Sequence, residues 1–242
     1  MKKFFTLSVF LLLALFSFGQ YSAGVRLGMN LSTITGKYSQ DDDSKRGWVG
    51  GLVFGVVDNY EFTDMISLDA ELLFSTMGGT FKYTYDEGDG ERVQLADEME
   101  DKSTERFHYL QMPVMAKFTF GTEFKFYGIV GPYFGYALGG HYKDDQWGNE
   151  SKGKIKFKKG TNTSDVHYLD PDYNRRFDLG LNLGGGVSKE IGPGNLEAEL
   201  RFGMGFLDHY KYDNKDDKPE GYKAFKNICI GITVAYLYDF SK

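Results

Sequence analysis

The 242-residue sequence predicts an all-β fold, an eight-stranded antiparallel up-and-down transmembrane β-barrel with short periplasmic turns and long extracellular loops. Three observations predict it. Eight segments alternate apolar with polar or small residues at a period of two, which in a strand sends the two sets to opposite faces. Short and long connections alternate between these segments. The amino terminus reads as an export signal.

That signal comes first in the chain. Lys2 and Lys3 form a basic start, Phe4 to Phe16 an apolar run, and Ser17-Phe18-Gly19 a small-x-small cleavage site before Gln20. The apolar run is too short for a spanning helix, which needs ~20 residues. Residues 1–19 are therefore expected to be removed, leaving 20–242 as one outer-membrane barrel domain. No later segment has the length of a transmembrane helix, so the exported chain is either soluble or crosses a membrane as strands.

Composition narrows the partners. The 31 glycines, 17 tyrosines and 21 phenylalanines against 5 prolines suit strands and turns. Without Lys2 and Lys3 the chain carries 26 basic and 34 acidic residues, a net charge of −8, which disfavours nucleic acid. The single cysteine, Cys229, permits no internal disulfide.

The strands are expected near 22–34, 47–58, 65–81, 106–120, 124–139, 175–189, 195–206 and 225–240. Each exceeds the ~9–11 residues that a tilted strand needs to cross a bilayer. Connections 59–64, 121–123 and 190–194 are short, whereas 35–46, 82–105, 140–174 and 207–224 are long and polar. Both termini fall on the short side, the layout of an outer-membrane barrel. The long connections hold the charge runs "DDDSKR" (41–46), "DEGDGER" (86–92), "KGKIKFKKG" (152–160) and "DNKDDK" (213–218). These read as solvated loops, with a ligand or partner surface as the sharper alternative. The acidic run at 86–91 lacks EF-hand spacing, and no metal or other cofactor is expected.

Which face meets lipid follows from comparing the two sets. The apolar set is free of charge in mid-strand: Val25, Leu27, Met29 and Leu31 in one segment, Leu196 to Phe206 on even numbers in another, Ile228 to Val234 in a third. The opposite set holds Arg26, Asp69, Glu71, Lys117, Arg176, Asp178, Glu197, Glu199 and Arg201, with Asn30, Gln111, Lys125, Asn182 and Asp239, spaced by glycines such as Gly28, Gly180 and Gly203. In a soluble, lipocalin-like ligand-binding barrel this set would face water, where mid-strand glycines only weaken the sheet. In a membrane barrel it fills the lumen, and glycine beside long charged partners suits that crowding. Aromatics at strand ends favour the membrane: Tyr60, Phe62, Phe120, Phe124, Tyr238 and Phe240 at the short-turn rim; Trp48, Phe107, Tyr136, Tyr142, Phe206 and Tyr222 toward the other.

Two prolines test the closed sheet, because each lacks a ladder donor. With residues 121–123 as the turn, Met112 would oppose Pro132 and Pro113 would oppose Gly131, and a shared bulge at that level is expected.

At "YLQMPVMAKF" (109–118) and "GIVGPYFGYALGG" (128–140) the sequence resembles the PorT-like outer-membrane β-barrel family of Gram-negative bacteria. Gly24, Gly28, Asn30, Leu31 and Ser32 match its early "G-x-x-x-G-x-N-L-S" strand; Leu68, Glu71, Leu72, Leu73 and Ser75 match its "L-x-x-E-L-L-x-S" strand. The resemblance covers nearly the whole mature chain. It implies an eight-stranded barrel in the outer membrane, makes the proline pair a family feature, and implies little about activity, since the family carries no shared catalytic motif.

Chemistry at the rim is the remaining question. A lipid-modifying hydrolase needs a histidine near a serine or carboxylate. His108, His141, His167 and His209 (beside Asp208) are the candidates, without a Gly-x-Ser-x-Gly elbow. The favoured reading is non-enzymatic: no catalytic, metal or cofactor residues, and a lumen closed by an ion-pair network of Arg26, Asp69, Glu71, Lys117, Arg176, Asp178, Glu197, Glu199 and Arg201, since buried charges persist when paired. Lys125 and Asp239, near the short turns, are expected to be wetter. The implied partners are outer-membrane lipid and an envelope or surface protein, with the barrel a monomer and its long loops at the cell surface, serving adhesion, structure or a secretion-accessory role.

Overall fold

The computed structural model describes residues 20–40, 44–84, 100–146, 149–155, 157, 175–212, 216 and 218–241. The signal segment, His167 and the run at 86–92 lie outside them. The elements are β1 (Gln20–Lys37), β2 (Lys45–Gly47), β3 (Val49–Thr63), β4 (Ile66–Thr84), β5 (Glu100–Gly121), β6 (Phe124–Gln146), β7 (Asn149–Ile155), β8 (Phe177–Ile191), β9 (Gly194–Gly205) and β10 (Lys223–Asp239). Every pairing is antiparallel. From β1 the ladders run through β3, β4, β5, β6, β8, β9 and β10 and return to β1, so the sheet closes on itself. A closed sheet leaves no row of unpaired backbone groups.

Ten strands form among the described residues where eight were expected. The two additions, β2 and β7, pair with β4 and β6 beyond the level at which the apolar alternation stops. In the same region β5 begins at Glu100 rather than 106, and β6 runs on to Gln146 rather than 139. The sequence pattern fades there because strands that have left the apolar zone pair through backbone hydrogen bonds without needing an oily face. The short connections, 64–65, 122–123 and 192–193, lie at one rim together with Gln20 and Ser241. At the other, β1 ends at Lys37, β4 at Thr84 and β6 at Gln146, and β5 begins at Glu100.

The faces are inverted relative to a water-soluble globule. Leu27, Met29, Ile232 and Leu183 are 56–67% exposed on the outer surface, while Arg26 and Asp69 are at most 1% exposed inside. In the strand at 124–140, Phe126, Val130 and Phe134 point outward and Tyr127, Ile129 and Tyr133 inward. Among the described residues no helix is long and apolar enough to cross a membrane, a statement about helices alone.

The β5–β6 register corrects one expectation. Gly121, at a φ of 107°, remains in the ladder opposite Lys125, which glycine alone adopts without strain. Pro113 therefore faces Tyr133 rather than Gly131, and Met112 faces Phe134 rather than Pro132. No bulge forms at the prolines. Pairing lapses between β4 and β5 at Glu71–Leu72 beside Pro113, and between β5 and β6 at Val114–Met115 beside Pro132, with the register unchanged across both gaps. Each proline removes a donor from a different ladder, so neither ladder carries both losses. The recorded shift in β5–β6 lies higher, between His108 and Tyr109.

Candidate functional site

The lumen is built from the inward residues of all the ring strands. On β1, Arg26 reaches across to three carboxylates: Nε lies 3.0 Å from Glu71 Oε1, Nη2 3.3 Å from Glu197 Oε2, and Nη1 3.2 Å from Glu199 Oε2. The Nε approach is an ion-pair contact whose angle falls short of a hydrogen bond. Nη1 also donates to Thr233 Oγ1 at 2.8 Å. Arg201, from β9, forms the better-aligned pair: its Nη1 and Nη2 donate to the two oxygens of Glu71 at 2.7 and 3.0 Å, and its Nε donates to Glu199 at 2.7 Å. Such a fork-to-fork bond fixes direction as well as charge. Lys117, from β5, contacts Glu197 closely, stands 3.6 Å from Asp69, and lies 4.3 Å from the centre of the Tyr127 ring.

Three cations thus meet four carboxylates drawn from β1, β4, β5 and β9. Neutral donors supply the remainder. Asn59 donates to Asp69 and to Ser67, and the Tyr127 hydroxyl donates toward Glu199 at 3.3 Å. All seven charged side chains are at most 11% exposed.

Two of the residues expected in this cluster stand apart from it. Asp178 sits higher in the lumen, accepting from the Tyr133 hydroxyl at 3.0 Å, from Asn227 Nδ2 at 2.9 Å and from the Leu179 amide at 2.9 Å. Arg176 precedes β8 and donates to the Ala137 carbonyl at 3.0 Å, with its guanidinium 4.3 Å from the centre of the Phe157 ring. The reason is height: β8 begins at the long-connection rim, so its first residues lie far from the level of Arg26. Lys125 and Asp239, near the short turns, are only half-buried.

Between the charged level and Asp178 lies a cavity of about 40 Å³, lined by Asn30, Gln111, Asn182, Arg201 and Cys229 among others, room for little more than a water molecule or two. Above Asp178 the lumen turns apolar, with Ile34, Met77, Phe81, Phe107, Tyr210 and Phe225 packed together. The connection 206–222 is tied down over this layer by Asp208, which accepts from the Tyr222 hydroxyl at 2.8 Å, from the Phe225 amide at 3.0 Å and from the Tyr210 amide at 3.3 Å. Burial, and then the Asp208 carboxylate, push the Tyr222 phenol above its ordinary range. His209, edge-on to Phe107 at 5.4 Å, is buried, and that burial lowers its pKa.

The histidines do not assemble a catalytic group among the described residues. His108 points outward, 3.2 Å from Thr76 Oγ1, with its ring 5.7 Å from Phe74 and 5.4 Å from His141. His209 lies on the opposite side of the barrel wall, inside. Sequence reading of charges alone missed Thr233, Asn59, Tyr127, Tyr133 and Asn227. For Tyr127 and Tyr133 the signal was available in the parity they share with Lys125, and for Asn227 and Thr233 in the parity they share with Asp239, whereas Asn59 fell in an expected connection.

The outer membrane protein β-barrel domain family matches residues 18–211. The chain belongs to that family. This membership supports an outer-membrane location. Similar solved structures include Ail, the attachment invasion locus protein of Yersinia pestis (12% identity, 90% of this chain and 98% of that one, TM-score 0.35). Neisserial surface protein A is similar at 12% identity over 88% of this chain and 95% of that one, TM-score 0.37. OprG from Pseudomonas aeruginosa is similar at 9% identity over 90% and 96%, TM-score 0.45. No curated protein sequence matches the chain.

Proposed function

We propose that the eight strands of the closed ring cross the outer membrane as a monomer, with turns 64–65, 122–123 and 192–193 in the periplasm and the long connections at the cell surface. Residues 1–19 act as the cleaved export signal. The protein is a non-enzymatic plugged barrel whose work lies in its long connections: adhesion, surface interaction, or docking to an envelope or secretion partner. Within its family we place it in the PorT-like branch, on the Leu110-Gln111-x-Pro113 and Gly131-Pro132-Tyr133 elements.

The observation that carries the plugged lumen is the packing of Arg26, Lys117 and Arg201 against Asp69, Glu71, Glu197 and Glu199 across the interior, with the apolar layer around Phe107 stacked above it. An ion entering from either rim would have to displace side chains already paired, at a cost of several kcal/mol per broken buried pair. Planar-bilayer recording of the purified mature protein tests this: no steady single-channel conductance is expected, and a stable open level in the unmodified protein would overturn the plug.

A further inference from the structure

On β4 and β5 the outer face of the barrel changes chemistry just above its last apolar row. Phe74 and Leu110 pair there, with Tyr136 beside them. Two residues further along the strands, about 7 Å, the outward positions are Thr76, His108 and Gly139. The next outward row is Arg106, His141 and Lys154, directly opposite one another across β5, β6 and β7. Above that Lys143 opposes Lys152, and at the top Lys45, Lys82 and Lys102 oppose one another across β2, β4 and β5. Among the described side chains, the acidic ones on this surface are Glu150, which contacts Lys143 and Lys152, and Asp145, which lies opposite Lys102. Arg106, Lys102 and Lys154 form no ion pair with any described residue.

Like charges placed directly opposite on a sheet repel and destabilise the pairing. A chain whose mature net charge is −8 has nonetheless gathered its cations here, on the strands that rise highest. Glu150 relieves the repulsion between Lys143 and Lys152, and Lys82 has an interaction of its own; the depth of Arg106 and Lys154 identifies what those two meet. The cluster starts within about 7–14 Å of the apolar belt, the level of lipid headgroups on a bilayer. At that depth the Arg106 guanidinium and the Lys154 ammonium attract anionic headgroups, and the guanidinium fork matches a phosphate in particular.

We infer that the outward surface formed by Arg106 and Lys154, with Lys143 in the row above, binds the phosphate groups of an outer-leaflet glycolipid. This rests on the reading of the ring as membrane-spanning with its long connections outward.

The test uses the mature chain in nanodiscs of neutral phospholipid containing a small fraction of either phosphorylated lipid A or its dephosphorylated form, with bound lipid counted by native mass spectrometry. Retention of the phosphorylated form is expected to exceed that of the other by roughly 10- to 100-fold, and R106Q/K143Q/K154Q to abolish the preference. K125Q/K189Q, at the opposite rim, keeps it. Equal retention of the two lipids, or a preference untouched by the triple variant, overturns the site. So does equally tight capture of soluble inositol hexakisphosphate, which would mean that the surface takes any polyanion. Failure of the chain to enter the discs sinks the membrane-spanning reading and this site with it, whereas insertion without preference sinks the site alone.

Discussion

Tyr133 and Gly180 oppose each other across the β6–β8 ladder, and a methyl group added to Gly180 would stand 2.3 Å from Cε1 of the tyrosine ring. The same relationship recurs at Tyr127 and Gly186, where the added carbon would meet the ring at 2.6 Å. In both pairs the missing side chain lets the ring lie over the neighbouring strand while its hydroxyl reaches a carboxylate, Asp178 or Glu199. Gly180→Ala is thus expected to destabilise the barrel by about 1–3 kcal/mol through overpacking. Gly139→Ala, where nothing lies within 4 Å, should leave stability unchanged. Urea unfolding midpoints in lipid vesicles compare the two.

Glu71 accepts two hydrogen bonds from Arg201 and forms an ion pair with Arg26. Removing it in Glu71→Ala leaves two buried cations short of a partner and is expected to cost about 3–5 kcal/mol. Lys143→Ala removes a partner of the solvent-exposed Glu150, and its unfolding midpoint should match that of the unmodified protein. A midpoint for Glu71→Ala within error of the unmodified protein would show that the lumen is wet enough to solvate the arginines.

Orientation of the two faces can be read residue by residue. Tryptophan placed at Leu200 or Ile232, which are 55% and 66% exposed on the outer surface, should be strongly quenched by brominated acyl chains. Tryptophan at Lys211, in the connection above β9, should not. Quenching of all three alike, or of none, contradicts the depth assigned to the apolar belt.

His209 makes the segment 206–222 sensitive to acid. Burial lowers its pKa below the ordinary value near 6.5, so the unfolded segment binds a proton more readily than the folded one. The sign follows from linkage: its contribution is fully present above about pH 6.5 and is lost as pH falls toward the depressed folded value. Hydrogen exchange across 206–212 should accelerate on acidification below about pH 6.5, and His209→Phe should remove that dependence while keeping the ring contact with Phe107.

The ring, its inverted faces and seven members of the central charge cluster were legible in the sequence, because a period of two sorts residues by side without knowledge of their partners. What parity cannot supply is height. Arg176 and Asp178 have the right parity and the wrong level, and only the β6–β8 and β8–β9 registers reveal that. The proline level was misread for a similar reason: Gly121 stays in the ladder, and one retained residue moves every partner from Phe120 to Tyr109 by two positions. The extension of β5 above Arg106 was missed because its alternation is polar with polar, as in the Lys102 and Thr104 side of the strand.

The closure of β4 onto β5, already noted, also decides what a cut would do. A protease acting in the connection between them severs the chain but none of the inter-strand ladders, and each half stays gripped along two seams. The nicked molecule should therefore travel as a single species until denatured, and two separately expressed halves, 20–84 and 100–241, carry all the information needed to find each other.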